Sequence, residues 1–170
     1  MLITGRAIKR AMKRWREKRD SASEAFNESI MAFDDDEWVD PVVASEDFRA
    51  ADQAICLLEV FQQDYNKRVM VSVDGEEMSL ALAIKLVGGA GRLKNMWKSA
   101  SARAPKDRYS RLCRDTSRRA DEERATRRVS IKKASEKYQE VCDRQIAIQD
   151  AITIGNGVSI EMDIDPVLLT

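Results

Sequence analysis

A chain of 170 residues has room for one domain, or one domain with arms, that buries about 70% of its unfolded surface if compact. Aromatic residues make up 6% and charged residues 34%, there are three prolines, and histidine is absent. That is the composition of long helices, and it removes the commonest general base and metal ligand, so Ser/His/Asp and Cys/His nucleophilic arrangements are excluded.

The net charge of zero conceals segregation along the chain. The balance is eight basic to one acidic from Arg6 to Arg19, eleven acidic to one basic from Asp20 to Asp52, and fifteen basic to five acidic from Arg92 to Lys133. Blocks of opposite sign suit antiparallel neighbours or copies of the chain meeting head to tail. Three cysteines without C-x-x-C spacing argue against structural zinc and for reduced thiols in a cytosolic setting. No 18-residue apolar stretch exists and no apolar core follows the basic N-terminus, so neither membrane spanning nor a secretory signal peptide is expected.

The first element is a long amphipathic helix over residues 4 to 33, with Ile8, Met12, Trp15, Ala22, Phe26 and Phe33 on a 4-3 spacing. "DDDEWVDP" then breaks the pattern, because carboxylates oppose the dipole at a helix C-terminus and Pro41 disfavours helical geometry for Asp40. Residues 34 to 44 therefore read as an acidic linker. Ser45 is the expected cap of a second helix to Arg68, with Phe48, Ala51, Ile55, Leu58, Gln62, Tyr65 and Val69 along its seam. The two helices are natural antiparallel partners.

At Val69 the period changes to two. Val69, Val71 and Val73 alternate before Asp74-Gly75, a preferred two-residue turn, so a short hairpin is expected near residues 69 to 78. Ser79 can cap a third helix over about 80 to 103 that carries Leu82, Leu86, Gly89, Leu93, Trp97 and Ala100 on one face. Residues 104 to 130 lack an apolar period and read either as an extended connection or as a solvated helix start. From Ser130, Ile131, Ala134, Tyr138, Val141, Gln145, Ile148 and Ile152 form a heptad-like seam that ends at Gly155. Beyond Gly157, Val158, Ile160, Met162 and Ile164 alternate with polar and acidic residues as a half-buried strand. That strand can add to the hairpin at 69 to 78 or to another subunit.

"LVGGAGRLKNMW" raises the question of a phosphate loop. Neither G-x-G-x-x-G nor G-K-[ST] occurs, and a helix-period run precedes the glycines where a strand is required. Gly88, Gly89 and Gly91 read instead as helix-packing positions beside Trp97, where a neighbouring backbone approaches closely. Gln62 and Gln145 stand where leucine is expected, and either face each other to set register or reach solvent at the stripe's edge. The carboxylates Asp34, Asp35, Asp36 and Glu37 lack the D-x-D-x-D-G spacing of a cation loop. No cofactor, metal or catalytic residue is assigned.

"VDGEEMSLALAIKL", "DRYSR" and "YQEVCDRQIAIQ", in that order, resemble the septicolysin-like family of small helical bacterial and phage-associated proteins. The matching positions are Asp74, Gly75, Leu80, Ala83, Arg108, Tyr109, Ser110, Arg111, Tyr138, Asp143, Ile146 and Gln149, and the likeness spans residues 65 to 150. The resemblance implies a helical hairpin scaffold without an established activity.

The expected fold is all-α, an antiparallel helical bundle or hairpin with the short β-hairpin and an extended C-terminal arm. The expected segments are an N-terminal helix (1–33), an acidic linker (34–44), a helical core (45–154) and the arm (155–170). The expected function is a non-enzymatic assembly subunit of a larger particle, such as a phage or prophage virion, in the cytoplasm or in the assembled particle. Its partners are other protein subunits, self or heterologous. Candidate interaction residues are Trp15, Arg16 and Arg19, then Arg108, Arg111 and Arg114, then Val158, Ile160, Met162 and Ile164. The alternative is nucleic-acid binding through the basic residues 6–19 and 92–128, which would make mainly salt-sensitive phosphate contacts.

Overall fold

The computed structural model describes residues 1–31, 33, 38–102 and 128–170. Among them are four α-helices and two antiparallel strand pairs, an all-α fold with a short hairpin. Residues 1–83 together with 151–170 form one compact unit, and residues 84–150 form a second. The C-terminal arm thus falls in the same unit as the first two helices.

Helix α1 spans Gly5–Ser29. The Thr4 hydroxyl accepts from the Ala7 N–H at 3.2 Å, and this satisfies one of the four amides that a helix start leaves orphaned. Ile8, Ala11 and Met12 are buried, whereas Phe33, expected as the last seam residue, lies beyond the helix and is 80% exposed.

Helix α2 spans Pro41–Arg68, four residues earlier than its expected start. Asp40 Oδ1 accepts from the Val42 N–H at 2.8 Å, and Pro41 takes the first helical position, where a missing N–H costs nothing. The proline read as a breaker thus starts the helix. Ser45, the expected cap, donates its hydroxyl to the Val42 carbonyl at 2.7 Å. Ala44, Ala51, Ala54, Ile55, Leu58, Gln62 and Tyr65 are the buried residues of α2; Phe48 points away, 39% exposed.

The two helices run antiparallel. Arg19 pairs with Asp52 at 3.5 Å and Arg16 with Glu59 at 3.2 Å, and Gly5 sits on the Tyr65 ring. Small residues set the spacing: a Cβ on Gly5 would stand 2.7 Å from Tyr65 Cε1 and 2.8 Å from Asn156 Oδ1.

Strands β2 (Met70–Val73) and β3 (Glu76–Ser79) form the expected hairpin. Asp74 and Gly75 have φ of 53° and 85°, the left-handed pair that a two-residue turn matched to strand twist requires. Val71, Val73 and Met78 are buried on one face.

The C-terminal strand β4 (Ser159–Glu161) does not join that hairpin. It pairs with β1 (Leu2–Thr4), with Ile3 opposite Ile160. The Met1 amino group and N–H of Met162 extend the ladder through bonds of 2.8 and 3.0 Å. The Tyr65 hydroxyl, completely buried on α2, lies 2.7 Å from the carbonyl oxygens of both Gly155 and Val158 and shares its single proton between them.

Helices α3 (Leu80–Ala102) and α4 (Ile131–Gly155) are capped as the sequence predicts. Ser79 Oγ accepts from the Leu82 N–H at 3.3 Å and Ser130 Oγ from the Lys133 N–H at 3.2 Å. α3 stays helical through Gly88, Gly89 and Gly91. On α4 the predicted seam points inward from Ala134 onward, with Ala134 and Ile148 buried and Tyr138, Val141, Gln145 and Ile152 half-buried, whereas Ile131 at its start is 57% exposed. A Cβ on Gly155 would meet Val71 Cγ1 at 2.6 Å and Leu80 Cδ1 at 3.1 Å, so the end of α4 closes directly on the hairpin and the start of α3.

Candidate interaction site

The basic run of α1 is largely spent on its own chain. Arg6 donates to the Thr153 carbonyl at 3.1 Å, Arg14 to the Leu169 carbonyl, and Arg16 to Glu59 at 3.2 Å. Arg19 bonds Asp20 and Asp52, and the hydrogen bond to Asp20 is the first reason its pKa rises above the ordinary arginine value, ahead of the opposing desolvation. The Trp15 indole N–H donates to the Leu168 carbonyl at 2.9 Å. Lys18 lies 4.1 Å above the Trp15 ring, within cation–π range. Trp15, Arg16 and Arg19, read as residues for a partner, therefore bind the C-terminal 3-10 turn (Pro166–Leu169) and helix α2. Among the described residues Lys9 and Arg10 carry no such partner, and Lys13 meets Glu17 on its own helix.

The arm residues have the same fate. Met162 and Ile164 are 4% and 5% exposed, and Ile160 is half-buried, so they serve the core of their own unit. Val158 keeps 39% of its surface. Arg108, Arg111 and Arg114, together with Asp34 to Glu37, lie outside the described residues.

Toward the C-terminal end of α1 the hairpin of α1 and α2 opens into a groove of about 840 Å³. Ala22, Ala25, Ala44, Ala50 and Ala51 line it together with Trp15 and Val39, and the charged side chains Arg14, Glu17, Lys18 and Asp47 border it. The alanines leave a trough where leucines would have filled the space between the helices. Beyond the trough the described residues on either side of the α1–α2 connection present apolar side chains: Ile30, Met31, Trp38, Val39, Val42 and Val43 are 47–86% exposed. Around them Glu24, Glu28, Asp40, Glu46 and Asp47 are all exposed, and no lysine or arginine occurs between Asp20 and Phe48. A patch that joins large apolar side chains to charge of one sign is the usual mark of a protein-docking surface.

Helix α3 carries a second open stripe. Leu82, Leu86, Gly89, Leu93 and Met96 recur at helical spacing, and the four large side chains are 49%, 37%, 43% and 68% exposed. Trp97 is half-buried. This face was expected to pack through its glycines, and the geometry corrects that. A Cβ on Gly89 would touch nothing within 4 Å, one on Gly88 only the tip of Arg92 at 3.8 Å, and one on Gly91 the Gln145 amide at an ordinary 3.5 Å. No close backbone approach explains these glycines among the described residues. Gln145 therefore sits beside Gly91, while the Gln62 amide donates to Asn66 at 2.8 Å and leaves Gln62 Oε1 buried without a partner.

Among the described residues no three metal-ligating side chains come together, and no helix is long and apolar enough to cross a membrane. The hydrogen bond of Tyr138 with Cys142, then the charge on that thiol, raises the Tyr138 pKa above the ordinary phenol value. The sequence reading missed the residues on which the largest unit closes: Gly5, Gly155 and the Tyr65 hydroxyl. Only the Thr4-Gly5 cap and the Gly155 helix end left any local signal.

No family model matches the chain, and neither does any curated protein. A solved structure described as a functionally unknown conserved protein from Corynebacterium diphtheriae is similar in fold, with a TM-score of 0.66 at 10% identity over 95% of this chain and 100% of that one. At that identity the similarity concerns the fold alone.

Proposed function

We propose that this chain is a non-enzymatic assembly protein that docks other protein subunits through the acidic, apolar tip and trough of the α1–α2 hairpin. The observation that carries this reading is the contrast in what remains unspent. Arg6, Arg14, Arg16 and Arg19 are directed at carbonyls and carboxylates of their own chain, whereas six large apolar side chains at the tip stay open beside exposed carboxylates. The same contrast favours this reading over nucleic-acid binding through residues 6–19, because internal pairing leaves fewer cations of α1 to displace counterions from phosphate. As its setting we propose a phage or prophage particle, in keeping with the resemblance of residues 65–150 to the septicolysin-like proteins.

Sedimentation of the chain in extract of its native cells tests the proposal. It should run in a complex far larger than one chain, and nuclease treatment should leave that complex unchanged. A free monomer would remove the assembly reading. Collapse on nuclease treatment would transfer the function to nucleic acid.

A further inference from the structure

The two open surfaces of this chain match each other. The described residues that flank the α1–α2 connection are apolar and acidic, and the sequence has no cation from Asp20 to Phe48, whereas Arg14 and Lys18 line the inner end of the trough. Helix α3 is apolar along Leu82, Leu86, Leu93 and Met96, carries Lys85, Arg92, Lys94 and Lys98, and has no carboxylate from Leu80 to Ala102. Neither surface suits a copy of itself, since like charge set against like charge opposes docking. Their lengths agree as well. At 1.5 Å per residue the stripe from Leu82 to Met96 spans about 21 Å, and the trough along α1 from Arg14 to Ala25, continued to the exposed tip at Ile30, spans about 24 Å.

We infer that the α1–α2 trough and tip of one copy receive helix α3 of a second copy, a helix-in-groove contact whose apolar stripe fills the alanine-lined trough and whose cations meet the carboxylates of the tip. This rests on the assembly reading above and names the partner within it. The two patches differ, so the contact is heterologous: each copy offers one donor helix and one acceptor groove, and repetition builds a ring or an open filament. The opposite charges set orientation and hasten encounter, and added salt weakens the contact.

Two full-length variants test the inference by light scattering, alone and mixed. The tip variant combines Trp38→Ser with Val42→Ser, both at well-exposed positions. The stripe variant combines Arg92→Glu with Met96→Glu on the exposed side of α3. Unchanged circular dichroism confirms that each is folded. The unmodified chain should form species larger than a dimer as concentration rises, and each variant alone should lose association by about tenfold or more. The mixture should stop at a one-to-one dimer, because only one intact groove and one intact helix can meet. An unmodified chain that stays monomeric at every concentration overturns the inference, and so does self-association that survives in both single variants. In either case a large complex in native extract would still stand for the assembly reading, with a different partner or a different surface.

Discussion

Helices α1 and α2 and the helical stretches 84–102 and 131–150 are all written in amphipathic helical code, yet they spend their apolar residues differently. In the first region Ile8, Leu58 and Tyr65 are completely buried, and Ala11, Ala44, Ala51 and Ala54 allow the helices to approach. In residues 84–150 only Ala134 and Ile148 are buried among the described residues, and Leu86, Leu93, Met96, Ile131 and Ile146 keep 37–68% of their surface. Periodicity decides that a helix forms and which face is apolar. Whether that face is covered depends on elements distant in sequence.

The sharpest way to break this contrast is at its best-packed point. Tyr65→Ala removes a completely buried ring and the hydroxyl that holds the Gly155 and Val158 carbonyls, and should cost about 3–5 kcal/mol in chemical denaturation. Gly155→Ala should cost about 1–3 kcal/mol, because the new methyl group meets Val71 and Leu80 in an already filled space. Tyr65→Phe, which keeps the ring, should cost about 1 kcal/mol by the same measurement. Gly89→Ala should go the other way and stabilise α3 by up to about 1 kcal/mol, since helix propensity improves and nothing lies within 4 Å. A loss at Gly89 as large as that at Gly155 would mean that the α3 face is covered after all. Smallest of all, Arg16→Ala should change stability by about 0–1 kcal/mol, because both partners of the Glu59 pair are half exposed.

The four helices and the Asp74-Gly75 turn were legible because each carries a local signal: an apolar period in the helices, a capping serine before α3 and α4, a left-handed pair in the turn. The pairing of β1 with β4 was not. Three residues such as Leu2–Thr4 contain too little alternation to read, and their partner stands at the other end of the chain. Tyr65 was legible as a seam residue, but its hydroxyl partners lie 90 and 93 residues away. Pro41 misled because the same ring that breaks a helix interior suits its first turn. At the candidate site the acidic run and the α3 stripe were visible in the sequence, whereas the exposure of Glu24, Glu28, Asp40, Glu46 and Asp47 and of the stripe was not. The alanines of the trough look like any helix seam until the separation of α1 and α2 is known.

Hydroxyl-radical footprinting of the purified chain across a dilution series bears most directly on docking between the tip and α3. Met31, Trp38 and Met96 are reactive and exposed on the two proposed surfaces, and Met70, 56% exposed on the β-hairpin, is the internal control. Docking predicts that Met31, Trp38 and Met96 become protected together as concentration rises, that Met70 does not, and that salt reverses the protection. Equal reactivity of all four residues at every concentration, or protection of Met70 alone, would contradict it.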